Sequence, residues 1–422
     1  MRRPTVPQVL RDGNFARFLS ASTISTLGGG MATIALAFAV LDQGGVTELG
    51  IVLLAREVPM IVFVLLGGVF ADRLRRRTIL VSTDLVKAAT QGLTAFLFFT
   101  GTADVLTVSL LQIVFGVANA FSRPAYTGLV REILRDDQLQ EANALLGLSN
   151  SVLHIAGPAL GAIIVAAGSP ALALAIDAVT FLISALLMFT MRIARVIRIA
   201  SVSVLADLRS GWRELISRPW LVAMILSFGM FQLSFFPALG VLGPAVARDS
   251  LGGPTAWGLI LSLESVGAVI GGLVALRIRV SRPLIASQLF CLPCGLLLIG
   301  LGVPLNVALL ALLSAGVGFG FAAGNTFWMT ALQQNVPEHA LSRVSSFDWL
   351  GSVAFNPLGY LLIGPLATAI GTSQALIASG VINLATTVGV LLVPSVRAIR
   401  MVGTPPAPDS DGEPPGPLTE LA

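Results

Sequence analysis

The chain has 422 residues, 55% hydrophobic and only 11% charged, with a mean hydropathy of +0.87. A soluble domain carries about 25% charged residues, so this composition excludes one and leaves a multi-pass membrane protein. A net charge of +4 and a pI near 9.8 do not describe a nucleic-acid surface, because the arginines flank apolar runs instead of forming one basic face.

Apolar runs long enough to cross about 30 Å of hydrocarbon as helices occur at roughly 18–41, 48–71, 78–99, 105–122, 144–167 and 171–191. Six more follow at roughly 220–243, 255–276, 284–302, 306–330, 346–367 and 373–394. The expected fold is therefore all-α and integral to the membrane, with about twelve transmembrane helices. No short n-region, h-region and cleavage site precedes the first run, so it reads as a retained span. The polar interruption at 192–219 divides the chain into a bundle at 1–191 and another at 220–395. It reads as a cytoplasmic linker with amphipathic helical character. The Pro-rich, acidic tail (396–422) has almost nothing to bury and is expected to be disordered.

If the N-terminus is cytoplasmic, nearly every loop arginine falls on that side, from Arg2 and Arg3 through Arg73, Arg75, Arg76 and Arg77 to Arg397 and Arg400. The outer loops keep Arg248. The positive-inside rule then places both termini in the cytoplasm of a cell-membrane protein.

An offset of 204 aligns "GGVFADRLR" (67–75) with "GGLVALRIR" (271–279), each closing the second span of its half. "GPALG" (157–161) has a weaker echo in "NPLG" (356–359). Two matches at corresponding spans indicate parallel six-helix repeats. Asp72 has no counterpart, because Leu276 occupies its place.

Gly68, Asp72, Arg73, Arg76 and Arg77, at the loop after the second span of a duplicated six-helix half, resemble the major facilitator superfamily; Arg75 stands where that family usually has glycine. "AFSRPAYTGLVREIL", "GPALGA", "AIDAVTFLISALL" and "SRVSSFDWLGSVAFNPLGYLLIGPLA" resemble its drug-efflux and enterobactin-exporter-like branch. The resemblance implies two bundles rocking about a central cavity, and export of small, often amphipathic compounds in exchange for protons. It also implies that Asp72 latches the halves at the cytoplasmic side, with Arg73, Arg123, Ser345 and Ser346 as partners. Gly157, Pro158 and Gly161 match the branch's fifth-span antiporter motif, but Ala162 replaces its last glycine. In the first span Gly29 stands where the branch commonly has an acid. The superfamily's cavity-lining spans point to Gln112, Asn119, Phe231, Gln232, Phe235, Asn325 and Trp328. Aromatics with a few polar groups suit amphipathic molecules, although such residues more often pack or face lipid.

Ionisable groups in hydrocarbon mark function, partner pairs or water-filled paths. Glu264 reads as a proton or cationic-substrate site, with a hydrogen-bonded structural acid as the alternative. Arg56 and Glu57 read first as a local structural or gating pair and second as proton carriers. For Asp177 a hydrogen-bonded structural role outranks transport, and for Asp348 capping of the eleventh span is the better reading. His154 can protonate near neutral pH, but a lone histidine among small residues is more often simply packed. Gly157, Pro158 and Gly161 allow close helix contact and a bend.

Cys291 and Cys294 have C-x-x-C spacing inside an apolar run and read as buried and structural, not as a redox or metal pair. Lys87, the only lysine, has no glycine-rich loop before it, which excludes a P-loop ATPase. No H-E-x-x-H and no nucleophile and base pair point to an enzyme. The partners expected are a small-molecule substrate, protons and membrane lipid, with no cofactor, metal or nucleic acid, and a monomeric chain. Import of a small solute is the competing transport reading.

Overall fold

The computed structural model describes residues 8–135, 138–192, 213–278, 280–303, 305–337, 344, 347–348 and 350–401, with backbone alone at 8 and 64–73. The expected linker lies mostly, and the tail beyond 401 wholly, outside the described residues.

The described chain is helical throughout, as an apolar environment requires: with no water to satisfy them, backbone N–H and C=O groups must bond within each segment. The first half comprises α1 (Gly13–Gln43), α2 (Val46–Arg73), α3 (Arg76–Thr100), α4 (Val105–Ile133), α5 (Leu139–Ala166) and α6 (Pro170–Phe189). The second comprises α7 (Pro219–Ser250), α8 (Pro254–Ala275), α9 (Pro283–Gly302), α10 (Val307–Asn335), α11 (Leu350–Ile370) and α12 (Thr372–Leu391). Local chemistry sets the ends. Asp12 caps α1 by accepting from the backbone N–H groups of Asn14 at 2.8 Å and Phe15 at 3.0 Å. Asp104 caps α4 through Thr107, and the hydroxyl and backbone bonds from Thr107 hold its carboxyl below the usual carboxylate range. Gly101 takes a left-handed conformation, φ 67°, to end α3.

Among the described residues, ten helices are long and apolar enough to cross a membrane. Those ten do not include α2 and α3, two of the twelve runs read from the sequence. For α3 the charges Asp84 and Lys87 account for it; of α2, residues 64–73 are described by backbone alone, and the remainder holds Glu48, Arg56 and Glu57. Several helices outrun their apolar segments. α4 continues through Pro124 to Ile133 instead of stopping near 122, and α7 passes through a π-helical turn, Ala238–Leu242, to reach Ser250.

Packing repeats with the sequence. Within the first half α1 lies against α5 and α6, α2 against α4, and α3 against α6; six helices later, α7 lies against α11 and α12, α8 against α10, and α9 against α12. The pairs joining the halves, α5 with α8 and α2 with α11, exchange under the same offset. Glycines carry the closest approaches. A methyl on Gly161 would meet the Met31 backbone of α1, and one on Gly359 the Leu233 carbonyl of α7, so the echoed motifs seat equivalent helices. Similarly, Gly116 of α4 sits on the carbonyl of Arg56 and Gly318 of α10 on that of Glu264.

The two ends of the bundle differ. At the end where α1 begins, the first half has its own apolar core around Phe15, Phe18, Leu80 and Leu129, and the second half another around Trp220, Leu221, Leu284 and Trp328. At the opposite end one core runs through both halves, from Ile34, Leu36 and Leu49 to Phe235, Leu242, Leu298 and Leu376. There Arg248 donates to the Leu41 carbonyl and lies 2.9 Å from Asp249, Gly50 abuts the Tyr360 carbonyl, and Gly364 abuts Thr47. The molecule is sealed at that end and divided at the other.

Candidate functional site

Among the described residues, three cavities lie at or near the divided end. The first, about 600 Å³, belongs to the second half and is walled by Phe228, Phe231, Phe236, Phe321, Trp328 and Met329, with Gln232, Asn325, Cys291, Asp348, Ser287 and Ser352 as polar or polarisable groups. Its rings interlock: Phe231 stands 5.6 Å from Phe321 edge to face, and Phe228 stands 5.4 Å from Trp328. Such edge-to-face contacts hold the wall rigid. The indole N–H of Trp328 donates to Asp348 Oδ2 at 3.1 Å, while Oδ1 has no hydrogen-bond partner.

The second cavity, about 530 Å³, lies inside the first half among α1, α3, α4, α5 and α6. It is polar. Lys87 Nζ donates to Ser122 Oγ at 2.9 Å and lies 3.7 Å from Asp84 Oδ1; Asp84 Oδ2 accepts the Ser184 hydroxyl at 2.6 Å. Ser22 and Tyr126 pair their hydroxyls at 2.5 Å. Arg123, Asn150 and His154 complete the lining.

The third is a chamber of about 390 Å³ at mid-depth on the seam between the halves. Thr26, Gly29, Gly30 and Thr33 of α1, Arg56 of α2, His154 and Pro158 of α5, and Leu261, Glu264 and Ser265 of α8 surround it. Arg56 holds its guanidinium 4.4 Å from the Phe115 ring centroid. Ser262 and Ser265 tie α8 to α5 through the carbonyls of Ile155 at 3.1 Å and His154 at 2.9 Å. Neither Arg56 nor Glu264 has an ion-pair partner among the described residues. His154 and Thr26 line both the chamber and the polar cavity, so the two spaces adjoin. A side chain added at Gly29 would meet nothing within 4 Å.

The sequence-derived candidates separate. Phe231, Gln232, Asn325 and Trp328 line the aromatic cavity. Gln112 and Phe235 do not: both are 0% exposed. Gln112 turns to Gln91 at 3.5 Å inside the first half, and Phe235 joins the shared core, stacked 4.9 Å from Phe231. Asn119 lines none of the three cavities, and its carbonyl accepts the Ser122 hydroxyl. Of the proton candidates, Glu264 and His154 share the chamber while Glu57 is not part of its lining. Asp177 is sealed in, 0% exposed, against Gly28, with Gln91 donating to its Oδ2 at 2.7 Å. Asp348 is engaged by Trp328 instead of capping backbone N–H groups, a correction to the capping expectation.

Gly157 packs on Gly30 of α1, and Pro158 faces both the chamber and Gly258 of α8. The arginines after α2 do more than mark a membrane surface. Arg76 lies over Gly128 and 3.4 Å from Glu132 of α4, and Arg77 donates to the carbonyls of Met188 at 3.1 Å and Phe189 at the end of α6, where a cation complements the helix dipole. The side chains of Gly68, Asp72 and Arg73, together with Ser345 and Ser346, lie outside the described residues. Sequence reasoning did not single out Arg56, His154 and Glu264 as neighbours, nor the Lys87–Asp84 pair; a lysine and an aspartate three apart in an apolar helix were the visible signal.

Residues 18–353 match the model of the family described as the Major Facilitator Superfamily. The chain is 25% identical over 414 residues to the multidrug efflux pump Tap of Mycolicibacterium fortuitum, covering 93% of this chain and 98% of that one. It is 20% identical to macrolide efflux protein A of Streptococcus pyogenes, covering 92% and 97%. Among solved structures, the D323A mutant of the nucleoside transporter NupG superposes with a TM-score of 0.75 at 12% identity, over 90% of this chain and 99% of that one. Its helices, their paired packing and these likenesses identify a multi-pass transporter of the cell membrane, not an enzyme, and the chain belongs to the Major Facilitator Superfamily.

Proposed function

We propose that the protein is a proton-coupled exporter of small amphipathic organic compounds, working by alternating access with twelve spans and both termini in the cytoplasm. The observation that carries this reading is the asymmetry of the bundle: two separate cores with cavities between and within them at one end, one shared core at the other. The arginine distribution makes the divided end cytoplasmic, so this state receives substrate from inside the cell. The aromatic cavity suits the apolar part of such a substrate, and the names of the efflux relatives support the direction.

Glu264 is the coupling acid in this reading. The position on α1 where the branch commonly has an acid is Gly29, which opens on the same chamber, so an acid from α8 reaches across the seam into the space an α1 acid would occupy. Arg56 and His154 face it there. A carboxylate moving between a protonated form and a form attracted to Arg56 links proton occupancy to the fit of the halves.

The test measures accumulation of a candidate compound in cells with and without the gene, with and without a protonophore. Gene-dependent depletion that vanishes with the gradient supports the proposal. Depletion that survives the protonophore, or gene-dependent accumulation, overturns it.

A further inference from the structure

We propose that the polar cavity of the first half binds an anionic group, a carboxylate on an otherwise apolar organic molecule, so that acidic amphiphiles belong among the compounds carried. This deepens the transport reading and rests on it for the word "carried"; the binding site stands on its own geometry.

Two cations and one acid face this cavity, with His154 at its edge. Lys87 is the chain's sole lysine and is only 6% exposed on a helix inside an apolar bundle, a costly placement for an ammonium unless it is partnered. An ammonium has three donors. One reaches Ser122 at 2.9 Å, while Asp84 lies at 3.7 Å, beyond hydrogen-bond distance, and the Phe181 ring centroid at 5.3 Å. Asp84 is itself held by the Ser184 hydroxyl at 2.6 Å. The second cation, Arg123, lines the cavity with an exposed side chain and has no ion-pair partner among the described residues.

Among the described residues the sum is a surplus positive charge with unspent donors, in a half-open space of about 530 Å³ lined by low-dielectric helices. A cation would be repelled by Arg123 and Lys87, and a neutral solute would leave Arg123 without a counter-charge, since Asp84 balances only Lys87. A carboxylate can take a bidentate pair from Arg123 and a further bond from Lys87. The volume admits a ring behind the anion, and Leu80 and Met188 offer that ring an apolar flank. The aromatic cavity has the opposite character: among the described residues its charged group is an acid, Asp348.

The experiment is calorimetric titration of the purified full-length protein in uncharged detergent with 1-naphthoate, 1-naphthylmethanol and 1-naphthylmethylamine, three probes sharing one ring. Naphthoate is expected to bind about tenfold more tightly than the alcohol, and the amine no better than the alcohol. Arg123→Gln, at an exposed side chain, should weaken naphthoate about tenfold and leave the alcohol unchanged. Because Lys87→Met alone strands Asp84, the second variant is Lys87→Met with Asp84→Asn, in which the same selective loss is expected. Equal affinities for all three probes, or unchanged naphthoate affinity in both variants, overturns the proposal. Adding phosphatidylglycerol to the micelles distinguishes a solute from a lipid headgroup: retained naphthoate binding supports the solute site, and selective loss of naphthoate binding assigns the cavity to lipid and overturns it. No gradient enters this measurement, so its failure leaves the export reading standing, and a failed flux assay leaves the binding result standing.

Discussion

The two halves share a packing plan and bury opposite chemistry. In the first, α3 brings Asp84, Lys87 and Gln91 inward, and α6 answers with Ser184 and Asp177. In the second, the corresponding space holds phenylalanines, Trp328 and the buried Cys291. The plan is carried by glycines set on backbone, such as Gly116 on Arg56 and Gly318 on Glu264, so side chains elsewhere were free to diverge. A duplicated scaffold thus offers one wall for charge and one for apolar surface, with a seam where a residue from each can meet.

The sharpest way to break this comparison is at the seam. Glu264→Gln should insert normally yet reduce pH-driven uptake in inside-out vesicles to the level of empty vesicles; wild-type pH dependence would remove Glu264 from the mechanism. Gly29→Asp added to that variant should restore part of the uptake, since the new carboxylate enters open space in the same chamber.

Next comes stability. Gln91→Leu strips the donor from sealed Asp177 and should cost about 2 kcal/mol, read as a lowered melting temperature in detergent. In the second half Asn383 is equally buried, but its side-chain amide has no partner among the described residues. Asn383→Leu should therefore be neutral or stabilising. If both substitutions destabilise alike, the halves do not differ in the way described.

A smaller effect is expected at the aromatic wall. Trp328→Phe keeps a ring but removes the donor to Asp348 and should raise the KM for export about threefold, with turnover little changed. The smallest is Asp72→Asn, expected to slow turnover about twofold without altering expression or topology; normal flux would leave the loop after α2 as a topology anchor.

Much of the plan was legible in the sequence. Apolar runs marked the helices, and the offset of 204 marked the repeated packing of the halves. What stayed hidden depends on helix rotation and on contacts far apart in the chain. In a span that is apolar on nearly every face, no periodicity says whether Gln112 looks into a cavity or towards Gln91, or that Phe235 turns into the core while Phe231 does not. The apolar run of α4 ends near 122, where polar residues begin, yet the helix continues through Pro124 to Ile133. Arg56, His154 and Glu264 span more than two hundred residues, and only the α5–α8 and α2–α11 packing brings them to one chamber. Arg76 and Arg77 read as surface charge because their partners, Glu132 and the end of α6, lie on other helices.

The glycines that seat α8 on α5 and α11 on α2 bear on how fast such a molecule can turn over. Where Gly258 rides on Ala162 and Gly364 on Thr47, the surfaces that must part are mostly backbone and methyl. No long side chain has to leave one rotamer for another before they slide, so little ordering entropy is lost and regained with each cycle. Around these glycines the resistance to opening is many small dispersion contacts, added to the few hydrogen bonds that Ser262, Ser265 and Arg248 make across the halves. A bulky residue at Gly258 or Gly364 would turn a sliding surface into a ratchet, and its mark would be a steeper temperature dependence of transport.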